Sequence, residues 1–221
     1  MKAWSREQIA WRAARDLTDG AYVNLGIGLP TLVPSQVSSD QEVVFQSENG
    51  LLGVGQPPRP GEEDAELINA GKQLVTLVSG ASIFSHSDSF LMIRGGHIDV
   101  ALLGAYQVSE QGDLANWLAE GDTKPPAVGG AMDLAVGAKQ VWALMEHTTK
   151  TGQPRILERC TYELTAPRCI ARIYTNLAVI EVKDGLIVRD MAEGLSLEEL
   201  QKVTGAKLRL SEDFSAQRVA G

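Results

Sequence analysis

Ala21-Tyr22-Val23-Asn24-Leu25 followed by Gly26-Ile27-Gly28-Leu29-Pro30 is the stretch that decides the fold. A β-prone run closes on two glycines. Pro30 then suits the first turn of a helix, where its missing N–H would be unpaired in any case. This is a strand–loop–helix unit, with the helix expected to run to about Val37. A second short run, Glu42–Gln46, ends in Ser47-Glu48-Asn49-Gly50 before the loose stretch Leu51-Leu52-Gly53-Val54-Gly55. A carboxylate where a strand gives way to a glycine-rich loop stands at the strand's carboxyl end, where open α/β sheets place their ligands. The glycines let backbone amides approach whatever that carboxylate meets. A solvated loop glutamate is the commoner meaning of such a pattern, so the rest of the chain has to decide.

Upstream, Ser5 and Gln8 fit a capping box; Ile9, Ala13 and Leu17 recur every four residues, and Gly20 can stop the helix. Downstream, residues 56–64 (three prolines, Gly61, then acids) read as a polar loop. Strands are expected at Val75–Val78, Val100–Leu103, Val141–Met145, Ala178–Val182 and Leu186–Arg189, and short helices at Asp88–Ile93 and Ala131–Val136. Ser79-Gly80-Ala81-Ser82 reads as an ordinary turn, and Lys183-Asp184-Gly185 as a hairpin turn. Ser196 and Glu199 form a second capping box, opening a helix that Gly205 ends, and the tail after Leu210 is polar and loose. Strands alternating mostly with helices make the fold class α/β. The expectation is one domain over 1–221, built on an open, mostly parallel sheet with helices on both faces and a small antiparallel C-terminal patch.

The 221 residues, 44 % of them hydrophobic, suffice for one sizeable core. A net charge of −8 without a Lys/Arg-rich run argues against nucleic acid as a partner, though it leaves room for one local basic spot. Cys160 and Cys169 are too few for a disulfide scaffold and lack zinc-site spacing. No apolar stretch reaches membrane-spanning length, and Arg6, Glu7, Arg12, Arg15 and Asp16 interrupt any leader-like core. The chain reads as soluble and cytoplasmic, with no membrane partner.

The Gly26-x-Gly28 loop invites a dinucleotide reading, but Thr31 stands where that fingerprint needs a third small residue. A helix N-terminus offering free N–H groups to an anion is the better use of it. Val128-Gly129-Gly130-Ala131-Met132-Asp133 precedes another short helix, where backbone N–H groups can face a developing oxyanion or simply permit close helix–sheet packing. His86, His97 and His147 show no metal-ligand spacing and read as surface or hydrogen-bonded structural residues. No Gly-x-Ser-x-Gly elbow supports a serine nucleophile. Asp113 is suited to capping a helical turn, and Trp117 to the core.

Six motifs in order carry a resemblance. They are Val23-Asn24-Leu25-Gly26-Ile27-Gly28, Ser47-Glu48-Asn49-Gly50, Leu67-Ile68-Asn69-Ala70-Gly71-Lys72, Met92-Ile93-Arg94-Gly95-Gly96-His97, Gly112-Asp113-Leu114-Ala115-Asn116-Trp117 and Gly129-Gly130-Ala131-Met132-Asp133-Leu134. Together, from about Ser5 to Leu210, the chain resembles the B subunit of the family I coenzyme A transferases. The resemblance implies that Glu48 is a nucleophile that becomes a glutamyl-CoA thioester in ping-pong exchange. It implies an oxyanion N–H at Gly130, and places Asn24, Lys72, Gln107 and Asn116, beside Gly26, Gly28, Asn49 and Gly129, near CoA or the acyl carboxylate. It also implies an A subunit as partner in a heterodimer or heterotetramer, no metal, and no cofactor, because the CoA thioesters are themselves substrates. Ala127-Val128-Gly129-Gly130 after Asp122-Thr123-Lys124-Pro125-Pro126, and Cys169–Thr175, resemble the 3-oxoadipate branch more than the acetoacetate one, although Glu163 and Ala166 depart from an expected Pro and Gly. Transfer from succinyl-CoA to 3-oxoadipate is the expectation, with succinyl-CoA:acetoacetate transfer as the near alternative. A non-catalytic metabolite-sensing α/β domain is the rival from another class, and it has no use for an activated glutamate.

Overall fold

The structure, a computed structural model, describes residues 2–119, 127–212 and 214. In chain order the elements are α1 (Arg6–Arg15), β1 (Ala21–Leu25), a 3-10 segment (Leu29–Gln36), β2 (Val43–Ser47), β3 (Leu51–Val54), β4 (Leu77–Ile83) and α2 (His86–Arg94). Then come β5 (Val100–Gly104), β6 (Gln107–Ser109), β7 (Leu114–Ala115), α3 (Ala131–Gly137), β8 (Gln140–Leu144) and β9 (Ile156–Leu157). The chain continues with β10 (Ile170–Tyr174), β11 (Ala178–Val182), β12 (Leu186–Met191), α4 (Leu197–Lys202) and β13 (Leu208–Leu210).

Ten strands form one sheet in the order β13-β12-β11-β10-β8-β5-β1-β2-β3-β4. The middle of it, β10-β8-β5-β1-β2, is parallel throughout. Parallel strands are buried on both faces, and alternate residues of these strands feed two apolar clusters. Val100, Leu102, Trp142 and Leu144 pack with Ile9 and Ala13 of α1, while Ala101, Leu103, Val141 and Ala143 pack with Phe90, Ile93, Leu134 and Leu200 of α2, α3 and α4. The expected helices on both faces are present. Both expected capping boxes, Ser5/Gln8 and Ser196/Glu199, are formed.

Several expectations are corrected. The segment after Pro30 is 3-10 rather than α-helical, because a second proline, Pro34, lies inside it and lacks the N–H an α-helical turn would use. Leu51–Val54 is not loose: it is a strand antiparallel to β2, and β4 pairs with it in turn. The Ser79–Ser82 turn is therefore the body of β4, whose small-residue centre, Ser79-Gly80-Ala81-Ser82, hides it from hydrophobic periodicity. Antiparallel pairing thus flanks the parallel block on both sides and not only at β10-β11-β12. β6, β7 and β9 form a separate three-stranded sheet. Asp113 caps no helix; it accepts from Ser109 Oγ (2.8 Å) and the Arg168 amide (3.0 Å) in the β6–β7 turn. The Lys183–Gly185 turn is as expected, with Asp184 and Gly185 at positive φ. The Asp122–Pro126 stretch and most of the tail after Leu210 fall outside the described residues.

Two buried polar clusters tie distant parts together. Arg12 of α1 donates to Asp190 of β12 at 3.0 Å and lies under the Trp4 ring at 3.4 Å. His147 is fully buried, with its ring nitrogens 2.9 Å from Thr175 Oγ1 and Thr204 Oγ1. Among the described residues no helix is long and apolar enough to cross a membrane.

Burial lowers the His147 pKa from 6.5 to about 4. The folded state therefore refuses a proton that the unfolded chain accepts, and stability falls as pH drops from 6.5 towards 4. The loss amounts to something on the order of 3 kcal/mol. Urea unfolding of wild type and His147→Gln across that window should show a shallower pH slope in the variant; equal slopes would show that His147 does not set it.

Candidate active site

Ser47 pairs with Leu51, so Glu48-Asn49-Gly50 is the three-residue tip of the β2–β3 hairpin. Each neighbour of Glu48 is fastened. Ser47 Oγ accepts from the Ala70 amide (2.9 Å), and Asn49 Nδ2 donates to the Ile68 carbonyl (2.7 Å), so both hold the 67–74 loop. Gly50 donates to the Ser47 carbonyl (3.0 Å) and accepts from the Phe84 amide (3.0 Å). Its φ is +116°, and a Cβ there would lie 2.2 Å from the Phe84 carbonyl oxygen, so only glycine fits. The Gly50–Phe84 pairing sets the start of α2 beside the turn, where Ser85 caps it by accepting from Asp88.

Glu48 is left half-buried, with no hydrogen bond or ion pair among the described residues. It is shared by two cavities. One, about 610 Å³, runs along the carboxyl ends of β1, β5 and β8, past Gly26, Gly104, Asn116, Trp117, Gly129 and Gly130. The other, about 640 Å³, lies between α2 and α3, against His86, Phe90, Arg94 and Asp133. Gly130 forms the common wall: a Cβ on it would stand 2.7 and 2.8 Å from the Glu48 oxygens and 2.8 Å from Phe90 Cζ. Gly129, at φ +60°, turns the chain into that position.

Desolvation raises the Glu48 pKa above its ordinary 4.5; the nearby His86 pulls it back and Asp133 adds to the rise. Asp133 is itself held by Arg94 at 2.7 Å. A half-buried carboxylate that no side chain or amide among the described residues engages keeps its lone pairs for an electrophile, which suits nucleophilic attack better than structural anchoring. Among the described residues no group of three or more His, Cys, Asp or Glu is placed to hold a metal.

The remaining candidates separate. Gly26 and Asn116 line the cleft with Glu48, Gly129 and Gly130. Gly26 is pressed on the Leu102 carbonyl, 2.6 Å from where a Cβ would be, while the Asn116 side chain donates to the Gly104 carbonyl (3.1 Å) and accepts from Thr165 Oγ1 (2.6 Å). Asn24 is fully buried beneath the site, donating to Gln46, which donates to Ser89 of α2 at 2.7 Å. Gln107 holds Thr161 and Tyr162. Gly28 sits at the start of the 3-10 segment, and Lys72 is exposed in the Asn69–Gln73 turn at φ +62°. None of Asn24, Gly28, Asn49, Lys72 and Gln107 lines either cavity. Sequence reasoning missed His86, Arg6 and Arg155. They share no local motif with Glu48; the Gly50–Phe84 pairing and the sheet order bring them to the same clefts.

A protein-family model described as Coenzyme A transferase matches residues 6–202. The B subunit of 3-oxoadipate CoA-transferase from Pseudomonas putida is 56 % identical over 208 residues, covering 94 % of this chain and 97 % of that one. A human mitochondrial succinyl-CoA:3-ketoacid coenzyme A transferase 2 is 48 % identical over 210 residues, covering 94 % of this chain but only 40 % of the human one. Among solved structures, the apoenzyme of acyl-CoA transferase YdiF from Escherichia coli O157:H7 superposes with a TM-score of 0.75 at 18 % identity, over 96 % of this chain and 43 % of that chain, a likeness of fold.

Carbon-13 NMR titration of the Glu48 carboxyl should give a midpoint above 4.5, and His86→Gln, which removes an attractive neighbour, should move it higher. A midpoint at or below 4.5, or no response to the substitution, would contradict this electrostatic picture.

Proposed function

Because this chain belongs to the coenzyme A transferase family, we propose that it is the B subunit of an enzyme that moves CoA from succinyl-CoA to 3-oxoadipate, with Glu48 as the covalent carrier. The observation that carries the carrier role is the half-buried, unpaired Glu48 carboxylate held against Gly129-Gly130 between two cavities. A Glu48 oxygen attacks the thioester carbonyl, the C–S bond breaks, and a mixed anhydride and CoA thiolate form. The thiolate attacks the Glu48 side-chain carbonyl carbon, breaking its bond to the bridging oxygen. Succinate leaves and glutamyl-CoA remains. The second acid runs the same steps in reverse.

A carboxylate is a weak nucleophile, so the tetrahedral oxyanion needs donors, each worth roughly 2.7–4 kcal/mol in known cases. The Gly130 amide, at the start of α3, is one; a partner A subunit supplies the other. Support for that partner comes from length: the chain spans nearly all of the Pseudomonas relative, itself named as one subunit, yet only 40 % of the human one. Exposed Ile27, Leu91 and Met132, on the elements that wall Glu48, offer it apolar contact. The choice of 3-oxoadipate rests on the 56 % identity to a protein of that name.

The test is reconstitution with an A subunit, exposure to succinyl-CoA and reduction with borohydride. Activity should be lost with a mass change on the peptide holding Glu48; a label elsewhere, or none in an active complex, would defeat the carrier role. Glu48→Ala should assemble but not turn over, and 3-oxoadipate should be preferred to acetoacetate. Gly130→Ala should lower kcat by about 100-fold or more, because its methyl displaces the Glu48 carboxylate; near-normal turnover would place Gly130 outside the reacting centre.

A further inference from the structure

Parallel neighbours in the order β2-β1-β5-β8 set their carboxyl ends side by side. The cleft that starts at Glu48, after β2, therefore crosses three strand spacings, about 14 Å, to Met145 and Glu146 after β8. Two arginines lie in its lining, Arg6 and Arg155. Arg155 is fixed on both sides, its amide donating to the His147 carbonyl (3.1 Å) and its carbonyl accepting from Val108 (3.0 Å). Arg6 stands in the first turn of α1, where a positive charge opposes the helix dipole and gains the helix nothing. The neighbouring Trp4 amide tethers that end of α1 to the Asn176 carbonyl after β10 (2.8 Å).

Arg94, the arginine of the other cavity, is neutralised by Asp133. Arg6 and Arg155 make no ion pair among the described residues, and Glu146, the one carboxylate with them in the lining besides Glu48, bridges neither. In a chain of net charge −8, this cleft runs from the Glu48 carboxylate to a far end where two guanidiniums, Arg6 and Arg155, face one carboxylate, Glu146. A molecule lying along it with its reacting carbonyl at Glu48 meets positive charge at its remote end.

We propose that Arg155, assisted by Arg6, is the specificity determinant for a second, non-reacting carboxylate, and that it selects dicarboxylic acids over monocarboxylic ones of the same length. The planar guanidinium fork pairs with a carboxylate in two parallel hydrogen bonds, which fixes the acid's direction as well as its charge. In transfer between succinyl-CoA and a 3-oxo diacid, both acyl groups carry a second carboxylate, which lies two carbons farther from the reacting carbonyl in the six-carbon diacid than in succinyl-CoA. This inference rests on the reading of Glu48 as carrier.

The two-chain enzyme should be assayed with succinyl-CoA as donor, varying 3-oxoadipate against 3-oxohexanoate, which has the same length and no second carboxylate. In ping-pong kinetics kcat/KM for the acceptor reports only the second half-reaction. Arg155→Met should cut the ratio of kcat/KM for 3-oxoadipate to that for 3-oxohexanoate roughly tenfold to a hundredfold, the range for losing a charge-assisted hydrogen bond. Arg155→Lys should restore part of it, and Arg6→Met should lower it less. Borohydride trapping at Glu48 in each variant keeps the two readings apart: an intact label with an unchanged ratio overturns the arginine assignment and leaves the carrier standing. Equal losses for both acceptors, with weaker binding of free CoA, would also overturn it and put a CoA phosphate on these arginines.

Discussion

The backbone pairing of Gly50 with Phe84 is the constraint on which the site depends. It joins the hairpin tip to the start of α2, and it holds only because residue 50 has no side chain. From it follow the placement of His86 and Phe90 beside Glu48 and, through the packing of α2 against α3, the approach of Gly130. Ser47 and Asn49 spend their hydrogen bonds on the 67–74 loop. Glu48 alone among the polar side chains of the turn makes no hydrogen bond to the described residues and faces the two cavities instead.

The antiparallel flank explains why the carboxylate is held so firmly. Parallel strands lead into crossovers of a dozen or more residues, so the residue after such a strand is not returned at once to the sheet. A three-residue hairpin, braced by β4 and by the 67–74 loop, fixes the direction of its tip to within side-chain rotation. The parallel block contributes something different: a row of strand ends that forms the floor of a long cleft. The site lies where the two kinds of pairing meet, which lets the nucleophile be rigid while the cleft beside it stays open.

Much of this is legible in the sequence for physical reasons that can be named. The α1 and α4 capping boxes, the apolar runs of β1, β5, β8 and β11, and the Lys183–Gly185 turn are local signals, and each forms as its residues dictate. β4 escapes such reading beyond Val78 because Ser79-Gly80-Ala81-Ser82 carries no apolar alternation. Pro34 is a local signal too, and it outweighs Pro30 in deciding what kind of helix follows β1. For the site, Glu48, Gly129, Gly130, Gly26 and Asn116, distant in sequence, line one cavity. Asn24 and Gln107 lie off both cavities, Asn24 donating to Gln46 and Gln107 bonded to Thr161 and Tyr162, internal pairings that no sequence motif foretells. Arg155 and His86 leave no trace in any motif, since their nearness to the cleft exists only after the sheet has assembled.

The buried contact between Arg12 and Asp190 bears on how the molecule is made. The two residues are 178 positions apart. At roughly 5–20 residues per second of synthesis, α1 waits about 10–35 s on the ribosome before its counter-ion has even been polymerised. The apolar partners of Ile9 and Ala13 in β1, β5 and β8 are all made by Leu144, so the core under the helix precedes the Arg12–Asp190 pair, which closes over it once β12 has joined the sheet.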